Sequence, residues 1–405
     1  MAQAATGGAP TGAVGSGGNP GVGQNPFQIA TNLYAEKNLQ GLQTGVAATG
    51  SAQQFGGSVN AGQFLRGVRL MVRTSAAPVA ATAVNGRTFA TGDGAFDIIQ
   101  NADLINVDGS EILYNMSAYS HYVMEKYSKP WKKDRALAYD YVAPAAAVGG
   151  AFTLPLFPEI RWTAGVLANT DTRSQYRFDY TLSPWTVTTS FPSFNITPYM
   201  DAWAQPDAND LQGTPNQPVP PGVNLQVKRR HQLFTINPGA DNTILSTLTG
   251  NAIRCMALIA RSNAAGSPRI DGYSDPIYWY LDNRSLGRLN PDIVRQWAED
   301  QYGAYTIAGA STAAASANYQ NSSNSVDAVT GATANYAGAP SYDFGVAIFP
   351  RFIEPGELYG QGWLYTANST KLSWETVAPA TTVSYELVVD EVYPVGNVDP
   401  SLVDI

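Results

Sequence analysis

The sequence predicts an all-β fold of two tandem sandwiches, on three observations. Apolar and polar residues alternate with a period of two in many separate runs. A Pro-rich stretch divides the chain into two strand-rich parts, and one order of strand, turn and helix recurs on both sides of it. The dividing stretch, Gln205 to Asn224, contains Pro206, Pro215, Pro218, Pro220 and Pro221 and no aromatic residue. Proline fixes φ and lacks a backbone donor, so this stretch cannot form a central strand and favours extended, solvated chain. The flanking parts, residues 58–204 and 225–395, are each the size of one domain of about 100 to 200 residues. A Gly-rich arm (1–24), a helix with extended chain (25–57), the linker itself (205–224) and a tail (396–405) complete the expected organisation.

With 405 residues, 44% of them hydrophobic, the chain has enough apolar surface for two cores. Charged residues make up 14%, against an average near 25%, and Asn, Gln, Ser, Thr, Ala and Gly fill the deficit. Such a surface suits extensive contact with other protein, because few ions lose their water when it is covered. A net charge of −8 argues against a broad nucleic-acid-binding face. The sole cysteine, Cys255, leaves no internal disulfide, and its apolar strand context reads as a buried, inert thiol. His121 and His231 are far apart and no Cys or His group has ligand spacing, so neither a metal nor a cofactor is expected.

Taken in order, residues 1–24 read as a flexible arm without the basic and apolar regions of a secretory signal, which implies synthesis in the cytosol. Asn25 as N-cap and Pro26 at the first position predict a helix bearing Phe27, Ala30, Leu33 and Tyr34, stopped at Gly41. From Phe64 the period is two: Val68, Leu70 and Val72 face one way, Arg69, Met71 and Arg73 the other. The apolar run 96–107 ends at Asp108-Gly109, and Ser110 is expected to cap a helix carrying Ile112, Met116, Tyr119 and Val123. His121 falls off that apolar stripe and is assigned a surface or rim position. Phe152, Leu154 and Leu156, with Pro155 and Pro158, mark an edge strand. Tyr176, Phe178, Tyr180 and Leu182 alternate with Arg177, Asp179 and Thr181, and a further strand is expected over 185–190.

Beyond the linker, Ile253, Cys255, Ala257 and Ile259 alternate, and 277–281 forms a strand. Asn290 and Pro291 then open a helix with Ile293, Val294 and Trp297 on its inner face. Arg261 follows Arg73 by 188 positions and Asn290 follows Ser110 by 180, similar offsets that hint at duplication. Residues 304–341 are small and polar and read as a long loop. The β pattern resumes with Tyr342, Phe344, Val346 and Ile348, then Leu372 and Trp374, and closes with Val383, Tyr385, Leu387 and Val389.

No Ser, His and Asp order, no G-x-S-x-G and no zinc signature is present, so no enzyme is predicted. Asp271, Asp275 and Asp282 supply carboxylates for a glycosidase pair, but Asp271-Gly272 and Asp275-Pro276 are turn chemistry first. Two basic runs are candidates for contact with an anionic surface or an inner face. One holds Lys132 and Lys133 beside Trp131; the other holds Lys228, Arg229 and Arg230 beside His231. The plainer reading of each is a solvated loop or strand end. Trp363, Tyr365 and Trp374 would serve a carbohydrate-binding or adhesive sandwich by stacking on sugars, although their strand spacing favours core or interface. A glycoside hydrolase is the third reading.

Several stretches resemble the double jelly-roll major capsid proteins of tailless, membrane-containing double-stranded DNA bacteriophages, the tectivirus-like group. They are FLRGVRLMVRTSAA from Phe64, FDIIQNADLINVDG from Phe96, GVLANTDTRSQYRFDYTL from Gly165, NAIRCMALIARSNAAG from Asn251 and SDPIYWYLDNRSLGRLNPDIVRQWAEDQYG from Ser274. The resemblance implies two eight-stranded jelly rolls with short inserted helices and an N-terminal helix. It further implies a homotrimer acting as a pseudo-hexagonal capsomer in an icosahedral virion shell. Its partners would be neighbouring capsomers, vertex (penton) and minor capsid proteins, and an internal membrane touched only peripherally, with no specific nucleic acid. The Gly-rich arm departs from that group in length and composition, and the loop 304–341 is enlarged relative to it.

Overall fold

The computed structural model describes residues 34–38, 44–46, 51–61, 63–74, 83–84, 87–88, 96, 99–128, 151–160, 165–169, 171, 173–183, 194–204, 225–238, 241–246, 249–263, 277–290, 293–294, 345–349, 362–377 and 380–394. Ahead of the linker lie β1 (Tyr34–Asn38), β2 (Thr44–Val46), β3 (Gln53–Ser58), β4 (Gln63–Thr74), the small hairpin β5 (Ala83–Val84) and β6 (Arg87–Thr88), β7 (Ile99–Ile105) and β8 (Glu111–Met116). Helix α1 (Ala118–Ser128) follows, then β9 (Ala151–Leu156), β10 (Leu167–Asn169), β11 (Arg177–Leu182) and β12 (Phe194–Ala204). After it come β13 (Leu225–Ile236), β14 (Asp241–Ser246), β15 (Ala252–Ser262), β16 (Ile277–Leu281), β17 (Arg284–Leu289), β18 (Val346–Ile348), β19 (Leu364–Tyr365), β20 (Leu372–Val377) and β21 (Val383–Pro394). The linker itself lies outside the described residues, as do the Gly-rich arm, the 304–341 loop and the strand expected at 185–190.

Each half repeats one topology. β1 and β2 both pair with β12, and β9 and β10 both pair with β4, so each couple occupies a single strand position. Leaving aside the β5–β6 hairpin and counting eight positions along the first half, one sheet runs 1-8-3-6 (β1/β2, β12, β4, β9/β10). The other runs 2-7-4-5 (β3, β11, β7, β8). In the second half β18 and β19 share a position beside β15. The same two orders recur as β13, β21, β15, β18/β19 and β14, β20, β16, β17. This is the jelly-roll connectivity twice over. The matched Arg73 and Arg261 fall on the equivalent strands β4 and β15.

The two jelly rolls are fused through a shared sheet. β8 of the first pairs in parallel with β13 of the second, Arg229 standing opposite Leu113, so the 2-7-4-5 sheet of one continues into the 1-8-3-6 sheet of the other as nine strands. Both faces of its second half are consequently covered. A β-bulge between Ile253 and Cys255 in β15 shifts the alternation there. Ile253, Met256, Leu258 and Ala260 join the core of the second sandwich, with Trp279, Phe349, Trp374 and Tyr385. Cys255, Ala257 and Ile259 join instead the core of the first, with Val68, Leu70, Val72, Phe178 and Tyr180. Helix α1 is packed between them, touching β9 on one side and β15 and β21 on the other.

Three local expectations are corrected. Tyr34 and the four residues after it form β1, paired with β12 from Tyr34↔Trp203 to Asn38↔Tyr199, where the sequence had suggested helix. Helix α1 begins after Ser117, whose Oγ accepts the Ser120 N–H at 3.2 Å, and not after Ser110. Ser110 instead closes the β7–β8 turn: Asp108 Oδ1 accepts its N–H at 2.8 Å, and Gly109 sits at φ 84, the left-handed region that favours glycine. At Asn290 the capping carboxamide accepts the Ile293 N–H at 3.4 Å, as expected, but Ile293 is 66% exposed; Val294 is buried, and Trp297 lies outside the described residues.

Candidate functional site

The feature that distinguishes the seam between the jelly rolls is a cluster of charges with no access to water. Arg229 on β13, Arg254 on β15 and Asp390 on β21 have fully buried side chains, and Glu125 on α1 is nearly so. Arg229 donates Nε–H to Asp390 Oδ1 at 2.7 Å and Nη2–H to Glu125 Oε1 at 2.9 Å. Arg254 donates from Nη2 to the other Asp390 oxygen at 2.8 Å and from Nη1 to the Ser128 carbonyl, the last residue of α1, at 2.9 Å. Glu125 Oε1 also accepts the Phe157 N–H just past β9, at 3.0 Å. Two cations and two carboxylates thus cancel while tying together elements from both halves.

His121 completes this cluster and corrects the rim position assigned from sequence. Its side chain is buried, with Nε2 at 2.8 Å from the Ala102 carbonyl of β7 and Nδ1 at 3.3 Å from Arg229 Nη1. Those partners require the neutral ring with its proton on Nε2, since Nδ1 must accept from the guanidinium. Burial, and next the Arg229 charge, push its pKa down to about 3, so the ring stays neutral at physiological pH. Burial works against the Arg229 charge too, but Asp390 and Glu125 outweigh it and hold that pKa above the ordinary arginine value. A second link lies alongside: Glu386 of β21 accepts from Ser120 Oγ at 2.8 Å and pairs with His231 Nδ1 at 3.0 Å.

A satisfied buried ion pair contributes little net stability compared with apolar packing, because desolvation offsets the attraction. Its effect is selective: any other docking of the two halves leaves uncompensated charge in the interior. The cluster therefore acts chemically as a geometric key. Among the described residues no group of three or more His, Cys, Asp or Glu side chains is placed to hold a metal ion.

Arg229 was grouped by sequence with Lys228 and Arg230 as a contact for an anionic surface, and burial removes it from that role. Arg230 keeps 28% of its side chain exposed and lies 3.6 Å from Glu391, while Lys228 is half-buried. Lys132 and Lys133 lie outside the described residues. Of the aromatics considered for sugar stacking, Trp363 and Trp374 are buried and only Tyr365 is exposed. Asp282 accepts the Thr370 and Lys371 N–H groups in a turn, and Asp271 and Asp275 lie outside the described residues. Cys255 is fully buried and its thiol is pushed up to about 12 by burial and by Asp390. Reaction with a thiol reagent is accordingly expected to be at least 100-fold slower in the native protein than after denaturation, measured by timed colorimetric labelling, on the order set by its thiolate fraction.

Glu125, Arg254 and Asp390 were not singled out from sequence. Their signal is a charged residue set inside an otherwise apolar run, as in the Arg254 of NAIRCMALIA and the Asp390 of SYELVVDEV.

Two eight-position sandwiches of one topology, fused edge to edge, define the double jelly-roll class, whose solved members resembling this chain are major capsid proteins. The crystal structure of the STIV MCP superimposes with a TM-score of 0.54 at 12% identity, over 88% of this chain and 96% of that one. The atomic structure of Sulfolobus Turreted Icosahedral Virus gives the same score and identity, over 88% and 90%. PBCV-1 VP54, fitted into a reconstruction of the virophage Sputnik, gives 0.52 at 9% identity, over 90% and 95%. The likeness is one of fold. No protein-family model matches the sequence, and neither does any curated protein.

Proposed function

We propose that the chain is a viral structural protein, the major capsid protein of a tailless icosahedral particle, assembling as trimers that act as pseudo-hexamers around an internal membrane. The observation that carries this reading is the repeat of one sandwich topology within a single rigidly keyed chain. Three such chains present six similar units, which can tile a hexagonal net. Two further facts support it: the fold neighbours are capsid proteins, and only 14% of residues are charged, which lowers the cost of covering the surface. Lys228 and Arg230 are the described cations from the basic runs that remain for an anionic inner face. The bacteriophage host class, and the vertex and minor capsid proteins as partners, belong to this proposal. So do the domain limits 58–204 and 225–395 and synthesis in the host cytoplasm.

Size-exclusion chromatography with light scattering tests the trimer, and negative-stain microscopy tests its triangular or hexagonal outline. A stable monomer that binds sugar would overturn the proposal in favour of a carbohydrate-binding sandwich. Deleting residues 1–24 is expected to leave the trimer intact and to reduce shell formation. A truncation that dissolves the trimer would instead make the arm part of the subunit contact.

A further inference from the structure

On the face of the first sandwich turned away from its core, Asp103 of β7 stands directly opposite Asp179 of β11 in the strand register. Their neighbours on the same strands, Ala102 and Leu104, Phe178 and Tyr180, belong to the core, so the two carboxylates share the outer face. Cross-strand partners have Cβ atoms about 5 Å apart, and like charges so placed destabilise the pair. Glu111 of β8, opposite Ile105, adds a third carboxylate to this face. Arg177 is the cation that faces the group from β11. Its Nε donates to Asp179 Oδ1 at 2.8 Å, and Asp103 accepts no hydrogen bond among the described residues.

The position of the Asp179 carboxylate shows which way the arrangement leans. It lies over Gly56 of β3, where an added Cβ would collide with it, and so on the side away from β7. Asp179 is thereby committed to Arg177 and half-buried Asp103 is left facing two negative groups. Burial first, then Asp179, then Glu111 raise the Asp103 pKa to about 7, with Arg177 opposing them.

We propose that the Asp103–Asp179 pair is a proton-operated latch in the outer face of the first jelly roll, closed when Asp103 carries a proton and loosened when it does not. Protonated, Asp103 relieves the repulsion across β7 and β11. Ionised, it places three negative groups on adjacent strands, with exposed Arg177 held by Asp179 and with Lys228 and His231 of β13 acting on Glu111. The folded chain holds this proton more tightly than the unfolded chain. The stabilisation is therefore complete below the ordinary aspartate value and is lost as the pH rises through about 7. A particle built from such subunits would be firmest in mild acid and would ease above neutrality, although the latch itself belongs to the folded chain and needs no shell.

Thermal unfolding of the purified full chain at pH 5.5, 6.5, 7.5 and 8.5 tests this, followed by circular dichroism beside D103N. The wild type is expected to lose melting temperature between pH 6 and 8, and D103N, neutral throughout, to hold level over that interval. A parallel fall in both proteins, or no fall in the wild type, would overturn the latch. Should D103N fold poorly, R177Q serves in its place. Removing the opposing cation is expected to move the wild-type transition upward by about half a pH unit or more, and an unmoved transition counts against the proposal. Neither result depends on whether the chain assembles into a capsid.

Discussion

Replacing Asp390 by alanine is expected to destabilise the protein by about 3–5 kcal/mol, the usual cost of removing one partner from a buried ion pair. The reason lies in what remains. Arg229 and Arg254 both direct guanidinium N–H groups at that carboxylate, and both side chains are fully buried. With Asp390 gone, Arg229 keeps Glu125 as its carboxylate partner, whereas buried Arg254 loses its carboxylate and keeps the neutral carbonyl and hydroxyl of Ser128. Asp390→Asn keeps the shape and some of the hydrogen bonding but loses the charge, and is expected to fall between the wild type and the alanine variant. Urea denaturation with a fixed m-value measures both. If Asp390→Ala costs less than about 1 kcal/mol, the scale of an exposed pair, the charges are better hydrated than their burial indicates.

Trp279→Ala is expected to cost about 3–5 kcal/mol, as for other large aromatic side chains removed from a well-packed interior. Trp279 is among the largest fully buried side chains. It packs on Phe349 with ring centroids 4.6 Å apart and stands opposite Trp374 in the β16–β20 pairing. The shape of the transition is as informative as its size. Because one nine-stranded sheet serves both sandwiches, the loss in the second is expected to lower a single melting transition of the whole chain. Two separated transitions in the variant, with the first sandwich untouched, would show that the seam transmits no cooperativity.

Much of this fold was legible where a strand has one wet face. The alternation in Val68, Leu70 and Val72 against Arg69 and Met71, and in Phe178, Tyr180 and Leu182, matches strands β4 and β11 because the core lies on one side only. The strand at 277–281 was placed to the residue, since its Trp279 alternates with half-buried neighbours. Legibility failed where burial is not one-sided. Ten of the eleven residues of α1 are buried, so the helix has no polar stripe from which to judge His121, and a position off the apolar stripe still faces protein. Ile112 and Met116 fit a helical spacing equally well in a strand whose pairing with β7 is irregular between Ala102 and Leu104. Tyr34 and its neighbours joined β12, more than 160 positions away, and a local cap signal carries no information about such a partner.

The candidate site was less legible for a related reason. Lys228, Arg229, Arg230 and His231 form one basic run in the sequence, but a strand sends neighbours to opposite faces, so the run is divided. Arg229 and His231 turn toward α1 and find Asp390 and Glu386, whereas Arg230 approaches Glu391. Sequence adjacency suggested a positive patch; pleating turns it into separate pairings.

The parallel junction of β8 with β13 also has a mechanical meaning. A force that bends the chain across its middle is met first by hydrogen bonds along one strand edge, which resist sliding well and peeling poorly. The bonds from Arg229 and Arg254 to elements behind the sheet run across that edge, like a rivet through the overlap of two plates. Pulling the two halves apart at constant velocity should therefore meet its largest resistance at this overlap, and a subunit lacking the rivet should hinge there.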